Sequence, residues 1–171
     1  MSDETETIGR SGAGRAQPGK YLTFLLDRQE YGIEIMKVRE IIGLMEITAV
    51  PRTPAFVKGV INLRGNVIPV MDLRAKFALP AVAATLETCI VVVEVRIEGE
   101  QANLGVIVDA VSEVLDIAAG EIEPPPAFGG GVHTDFLLGM AKVKDRVKLL
   151  LDIDRILQVD ELVAIGEMSH E

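Results

Sequence analysis

Shifting the chain by 80 residues lays one stretch of it on another, and this repeat limits the folds open to it more than any other feature. Residues 56–77, FVKGVINLRGNVIPVMDLRAKF, fall on residues 136–157, FLLGMAKVKDRVKLLLDIDRIL. Four pairs are identical (Phe56/Phe136, Gly59/Gly139, Val67/Val147 and Asp72/Asp152), and most other strand positions stay apolar in both copies. Upstream the offset shortens. Val38-Arg39-Glu40-Ile41 matches Val111-Ser112-Glu113-Val114 at a shift of 73, and Pro54-Ala55-Phe56 matches Pro126-Ala127-Phe128 at a shift of 72. Loop insertions explain the changing offsets, because lengthening a loop costs little closure entropy. The chain reads as two copies of one unit: hairpin, short helix, strand, hairpin, short helix. Each copy has only about 60–70 residues, too few for a comfortable core of its own, so the copies are expected to pack on each other.

The expected elements are short. Tyr21–Asp27 and Tyr31–Ile35 read as strands about a turn. Met36–Ile42 has apolar residues at helix-like spacing, and Asp109–Ile117 shares its pattern. Val57–Leu63 and Val67–Met71 flank the tight turn Arg64-Gly65-Asn66, where glycine tolerates positive φ. Cys89–Ile97 and Ala102–Val108 form another strand pair, as do Phe136–Val143 and Val147–Leu151, while 119–135 reads as a loop. Asp72 and Asp152 are expected to cap short helices, through Phe77 and over Asp152–Leu157. Short strands with tight turns favour small closed barrels, one at roughly 21–78 and one at roughly 87–157. Residues 1–19 read as a disordered tail, order is expected to begin near Tyr21, and 159–171 form an acidic tail.

Composition excludes several kinds of function. Apolar residues make up 49% and aromatics only 4%, so the core is aliphatic and leans toward sheet. A formal charge of −9 with no basic stripe argues against nucleic acid. The single cysteine, Cys89, rules out an intramolecular disulfide and a Cys-cluster metal site. No signal peptide or membrane span is visible, which points to the cytoplasm. The titratable groups do not assemble into a reaction centre: His133 lies in a glycine-rich loop, His170 is next to last, and Cys89 opens an apolar strand. Gly14–Lys20 matches GxxxxGK, but Tyr21 stands where a magnesium-binding Ser or Thr belongs and no strand precedes it, so a phosphate loop is rejected. No catalytic residue, metal or cofactor is expected. A duplicated β unit without catalytic groups suits protein binding, with a small-ligand barrel as the alternative from another class.

At YGIEIMKVREI (31–41), TPAFVKGVINLRGNVIPVMDLRAKF (53–77), VDAVSEVLD (108–116) and LLDIDRIL (150–157), the chain resembles the CheW family over roughly residues 20–158. The resemblance implies a mainly β fold of two SH3-like five-stranded barrels, pseudo-duplicated around a shared hydrophobic core with short helices. It also implies a non-catalytic adaptor that couples chemoreceptors to a CheA-type histidine kinase, in swimming or in another chemosensory behaviour. The implied partners are the kinase regulatory domain and the cytoplasmic tip of methyl-accepting chemoreceptors, to whose membrane-associated arrays the adaptor would be recruited without inserting in the membrane. By this resemblance Glu40, Arg64, Cys89 and Val114 are receptor-contact positions, with Glu40 expected beside Arg64. Val38 and Gly59 match positions tied to kinase association or its structural support. Gly59 has the repeat mate Gly139, which points to close packing or a bulge. In the second copy Lys144-Asp145-Arg146 replaces Arg64-Gly65-Asn66, so the two hairpin tips are expected to present different surfaces.

Overall fold

A computed structural model describes residues 16–97, 99–125 and 136–156. Its strands are β1 (Gly19–Leu26), β2 (Gln29–Glu34), β3 (Val38–Gly43), β4 (Val57–Leu63), β5 (Asn66–Asp72), β6 (Cys89–Ile97), β7 (Glu100–Val108), β8 (Ala110–Ile117), β9 (Ile122–Glu123), β10 (Leu137–Val143) and β11 (Arg146–Leu151). One short helix, α1 (Leu73–Lys76), follows β5, and single 3-10 turns lie at Ile35–Lys37 and Ala119–Glu121. The chain is mainly β, in two SH3-like sheets of six and five strands, ordered β8-β1-β2-β11-β10-β9 and β3-β6-β7-β5-β4.

The two sheets are the same structure built twice, and the repeat is visible in their hydrogen bonds. In each, an antiparallel hairpin (β1–β2 or β6–β7) runs parallel to the last strand of a second hairpin (β10–β11 or β4–β5). Val70 lies opposite Gly105 as Leu150 lies opposite Gly32. The register slips between Val57 and Gly59, and again between Leu137 and Gly139. The Asp72 N–H donates to the Phe56 carbonyl at 2.7 Å, and the Asp152 N–H to the Phe136 carbonyl at 2.7 Å.

The sheets do not divide where the sequence copies divide. The β1 barrel takes its first hairpin from the first copy and β8–β11 from the second, while the β6 barrel does the reverse. The ranges 21–78 and 87–157, expected to be one barrel each, are therefore not the barrels: each sheet draws strands from both. The physical reason is the edge strand: β3 pairs with β6, and β8 with β1, so each copy's third strand crosses to the other copy's hairpin.

Strands buried on two sides explain the continuous apolar runs. On β6, Ile90 and Val92 fill the interior of their own barrel with Ile61, Ile68 and Val70. Val91, Val93 and Val95 point the other way, into a shared core with Leu22, Phe24 and Leu26 of β1. Through that core Phe24, Tyr31, Phe77 and Phe136 stack in sequence, with centroids 5.8, 5.7 and 5.2 Å apart. A fully buried Val, Leu or Ile stabilises by about 1.5–3 kcal/mol, so this shared layer ties the barrels together.

Three local expectations are corrected. Met36–Ile42 is not helical beyond the 3-10 turn. It continues as β3, and a bulge between Val38 and Glu40 interrupts the alternation and mimics helical spacing. Asp152 does not start a helix within the described residues: 152–155 form turns, although the Asp152 carboxylate accepts from the Asp154 N–H at 3.1 Å as Asp72 accepts from Arg74 at 3.0 Å. Regular structure starts at Gly19, two residues before Tyr21, because Gly19 and Lys20 already pair with β8. His133, His170 and the acidic segment 159–171 lie outside the described residues.

Candidate functional site

The β4–β5 hairpin is a two-residue turn with Leu63 opposite Asn66. Both central residues have positive φ, 52° at Arg64 and 90° at Gly65, as a turn matched to sheet twist requires. The Asn62 side chain accepts from the Gly65 N–H at 2.9 Å, fixing the turn. These constraints lift the Arg64 side chain from the tip, where it donates to the Glu40 carboxylate. Glu40 sits on β3, at the opposite edge of the five-stranded sheet from β4, so this ion pair spans the line along which the sheet curls closed. The backbone closes the same line: Thr48 and Val60 exchange hydrogen bonds of 2.8 and 2.9 Å.

Gly59 lies beside that bridge with φ of 142°, and a Cβ there would fall 2.7 Å from the Thr48 carbonyl carbon. Its place is dictated by close backbone approach. Val38, half-buried at the start of β3, packs against the shared core. Cys89 opens β6 opposite Gly43 and is half-buried. Burial raises its thiol pKa, opposed by a hydrogen bond with the Val111 backbone. Val114 is exposed on β8, the edge strand of the other sheet, where it pairs with Leu22.

The structure therefore gathers Val38, Glu40, Gly59, Arg64 and Cys89 on the β6 barrel and sets Val114 on the other. Only Glu40 and Arg64 among them touch through polar groups. Exposed Ile41, next to Glu40, went unrecognised from sequence alone. The repeat aligns it with Val114, and both are outward-facing apolar residues on edge strands. Val67 and Val147, identical in the repeat, are likewise exposed beside their hairpin tips.

Among the described residues no group of three or more His, Cys, Asp or Glu is placed to hold a metal ion. A polar cleft of about 210 Å³ is lined by Lys58, Asp72, Arg74 and Asp109 under the 82–84 segment, and these charges are paired with one another or with Asp27. Arg74 holds the Asp109 carboxyl below the usual range against the opposing effect of burial, so this carboxylate is a fixed anion and a poor general base. Among the described residues no helix is long and apolar enough to cross a membrane.

Residues 20–161 match the model of the CheW-like domain. The chain belongs to the CheW-like family. It is 37% identical over 157 residues to a chemotaxis protein CheW of Klebsiella aerogenes, covering 92% of each chain. It is 34% identical to a chemotaxis protein CheW of Rhizobium meliloti, covering 82% of this chain and 88% of that one. Protein FrzA of Myxococcus xanthus is 29% identical over 92% of this chain and 97% of its own. The crystal structure of the scaffolding protein TtCheW from Thermoanaerobacter tengcongensis superposes with a TM-score of 0.74 at 36% identity, covering 85% of this chain and 96% of that one. This CheW-like chain is thus an adaptor by family, with the fold of a scaffolding protein.

Proposed function

We propose that the chain couples chemoreceptors to a CheA-type histidine kinase by binding both at once, without chemistry of its own. Membership of the CheW-like family across nearly the whole length carries this reading. The site geometry supports it. Arg64 at the exposed hairpin tip and Glu40 on β3 form an oriented pair, which suits a register-setting contact with the receptor tip, where charges steer and align more than they bind. Cys89 and Val114 would extend the receptor face. Val38 and Gly59 would support the kinase face, Gly59 through the backbone closure it permits. The adaptor is then recruited to receptor arrays at the membrane through its partners.

A receptor signal can reach the kinase only if the adaptor's contacts differ between signalling states, so binding to each partner should be energetically coupled. Co-purification with a kinase regulatory domain and a receptor-tip fragment, separately and together, tests this. Two binary complexes and a ternary one are expected, and absence of both binary complexes overturns the reading. Arg64→Ala is expected to lose receptor binding while keeping kinase binding and fold. Unchanged receptor capture removes Arg64 from the site.

A further inference from the structure

Two charged latches hold the sequence halves 19–77 and 89–156 together, and their signs are opposite. In the first, the Arg74 guanidinium, two residues beyond Asp72, donates to Asp109 at 2.9 and 3.0 Å and to Asp27 at 3.1 Å. It also donates to the Pro80 carbonyl at 2.5 Å, and the Asp27 N–H donates to Asp109 at 2.8 Å. In the second, Asp154, two residues beyond Asp152, accepts from Lys37 at 2.5 Å and from the Arg96 N–H at 3.2 Å.

The sheet registers make Arg74 and Asp154 equivalent, two residues beyond the matched Asp72 and Asp152. Asp109 and Lys37 fall one residue apart in register, each just before its edge strand, β8 and β3. Asp27 and Arg96 occupy matched places at the ends of β1 and β6. In both latches a carboxylate captures the N–H of that third residue. Both cations that bind across the seam, Lys37 and Arg74, belong to the first half, and both anions, Asp109 and Asp154, to the second.

Pairing two first halves would set Arg74 near Lys37 twice, with Asp27 the one latch carboxylate kept beside Arg74 and no Asp109 to accept from the Asp27 N–H. Pairing two second halves would set Asp154 beside Asp109 twice. Like-charge juxtaposition in a partly buried seam is strongly disfavoured. We infer that the seam is a heterotypic interface, in which a first half accepts a second half, from its own chain or from another copy of this chain, and like halves reject each other. This holds whatever partners the adaptor binds.

The test uses two full-length variants, Lys37→Asp with Arg74→Asp, and Asp109→Lys with Asp154→Lys. Each alone carries like charges at both latches, and its folding equilibrium constant is expected to fall about tenfold or more. Refolded together from denaturant, the two are expected to form a two-chain species by exchange of halves. One of its seams is native in charge and the other reversed at every position except Asp27, so its unfolding midpoint should return part of the way toward that of the parent. The quadruple variant in one chain should likewise regain stability as a monomer. The inference is overturned if each variant is as stable as the parent, if the mixture contains no two-chain species, or if the quadruple variant regains nothing.

Discussion

Gly59→Ala separates a backbone role from a contact role, and its cost can be worked from the structure. Gly59 has φ of 142°, a region L side chains rarely enter. An added Cβ would also lie 2.7 Å from the Thr48 carbonyl carbon and 2.9 Å from the Ala49 Cα, both backbone atoms that cannot rotate away. Either the strand holds and pays conformational strain, on the order of 1–3 kcal/mol plus the clash, or the 48–49 segment retreats. Retreat breaks the two Thr48–Val60 hydrogen bonds, worth about 1 kcal/mol each, and opens the line that Glu40 and Arg64 span. The expected destabilisation is about 2–5 kcal/mol, or about 4–20 °C in midpoint for a chain of this size. Thermal and urea unfolding of the purified variant measure it. Gly65→Ala is the control: its φ is 90° with nothing within 4 Å of the added atom, so only the conformational cost of about 1 kcal/mol applies. Partner binding by Gly59→Ala should fall in step with the folded fraction. A midpoint within about 2 °C of the parent, with partner binding lost, would refute this reasoning and make Gly59 a contact residue.

Lys148 is buried in the β1 barrel against Glu30, whereas its equivalent in the β6 barrel is Ile68 and that of Glu30 is Asn103. Lys148→Ile alone should cost about 3–5 kcal/mol by stranding the carboxylate, and adding Glu30→Asn should recover most of it in urea unfolding. On the acid side, Asp109 has a lowered pKa, so its contribution is present above the unfolded value of 3.8 and lost as pH falls through the folded value. Asp109→Asn should flatten this acid limb. On the alkaline side, the Tyr21 hydroxyl donates to the Gln17 carbonyl at 2.7 Å and burial pushes its pKa up to about 12. Stability should therefore decline from pH 10 upward toward about 12, and Tyr21→Phe should remove that slope in pH-dependent melting.

Much of the fold was legible because its signals are local. Arg64-Gly65 marked a turn, Val57–Leu63 coincides with β4, and Asp72 caps α1 through its carboxylate. The Glu40–Arg64 contact was legible through family resemblance, and the structure forms it. The exchange of hairpins between copies was not legible, since strand pairing across tens of residues leaves no periodicity in either strand. The bulge after Val38 concealed a strand for the same reason that it exists: one residue out of register spoils the alternation by which strands are recognised. The latches were hidden by their own chemistry. A repeat search scores Arg74 against Asp154 as a mismatch, yet that reversal is what lets the two places serve the same role with opposite charge.

Equal backbones with unequal side chains explain how one unit, copied, supplies two kinds of surface. In the β6 barrel the interior is aliphatic and the hairpin tip is neutralised, its Arg64 bound by Glu40. In the β1 barrel the interior includes the Lys148–Glu30 ion pair, and an open cleft of about 190 Å³ separates Glu113, the equivalent of Glu40, from the tip residue Lys144. Among the described residues neither Lys144 nor Arg146 has an ion-pair partner. A tip with its charge internally compensated can meet a partner without desolvating a lone cation, whereas uncompensated cations demand a partner that supplies anions or leaves them wet. The two barrels therefore present different surfaces, although their matched hairpins share the same strand registers. The two copies differ at their tips and interiors, while the edge-strand exchange that fixes the barrels to each other has the same form in both.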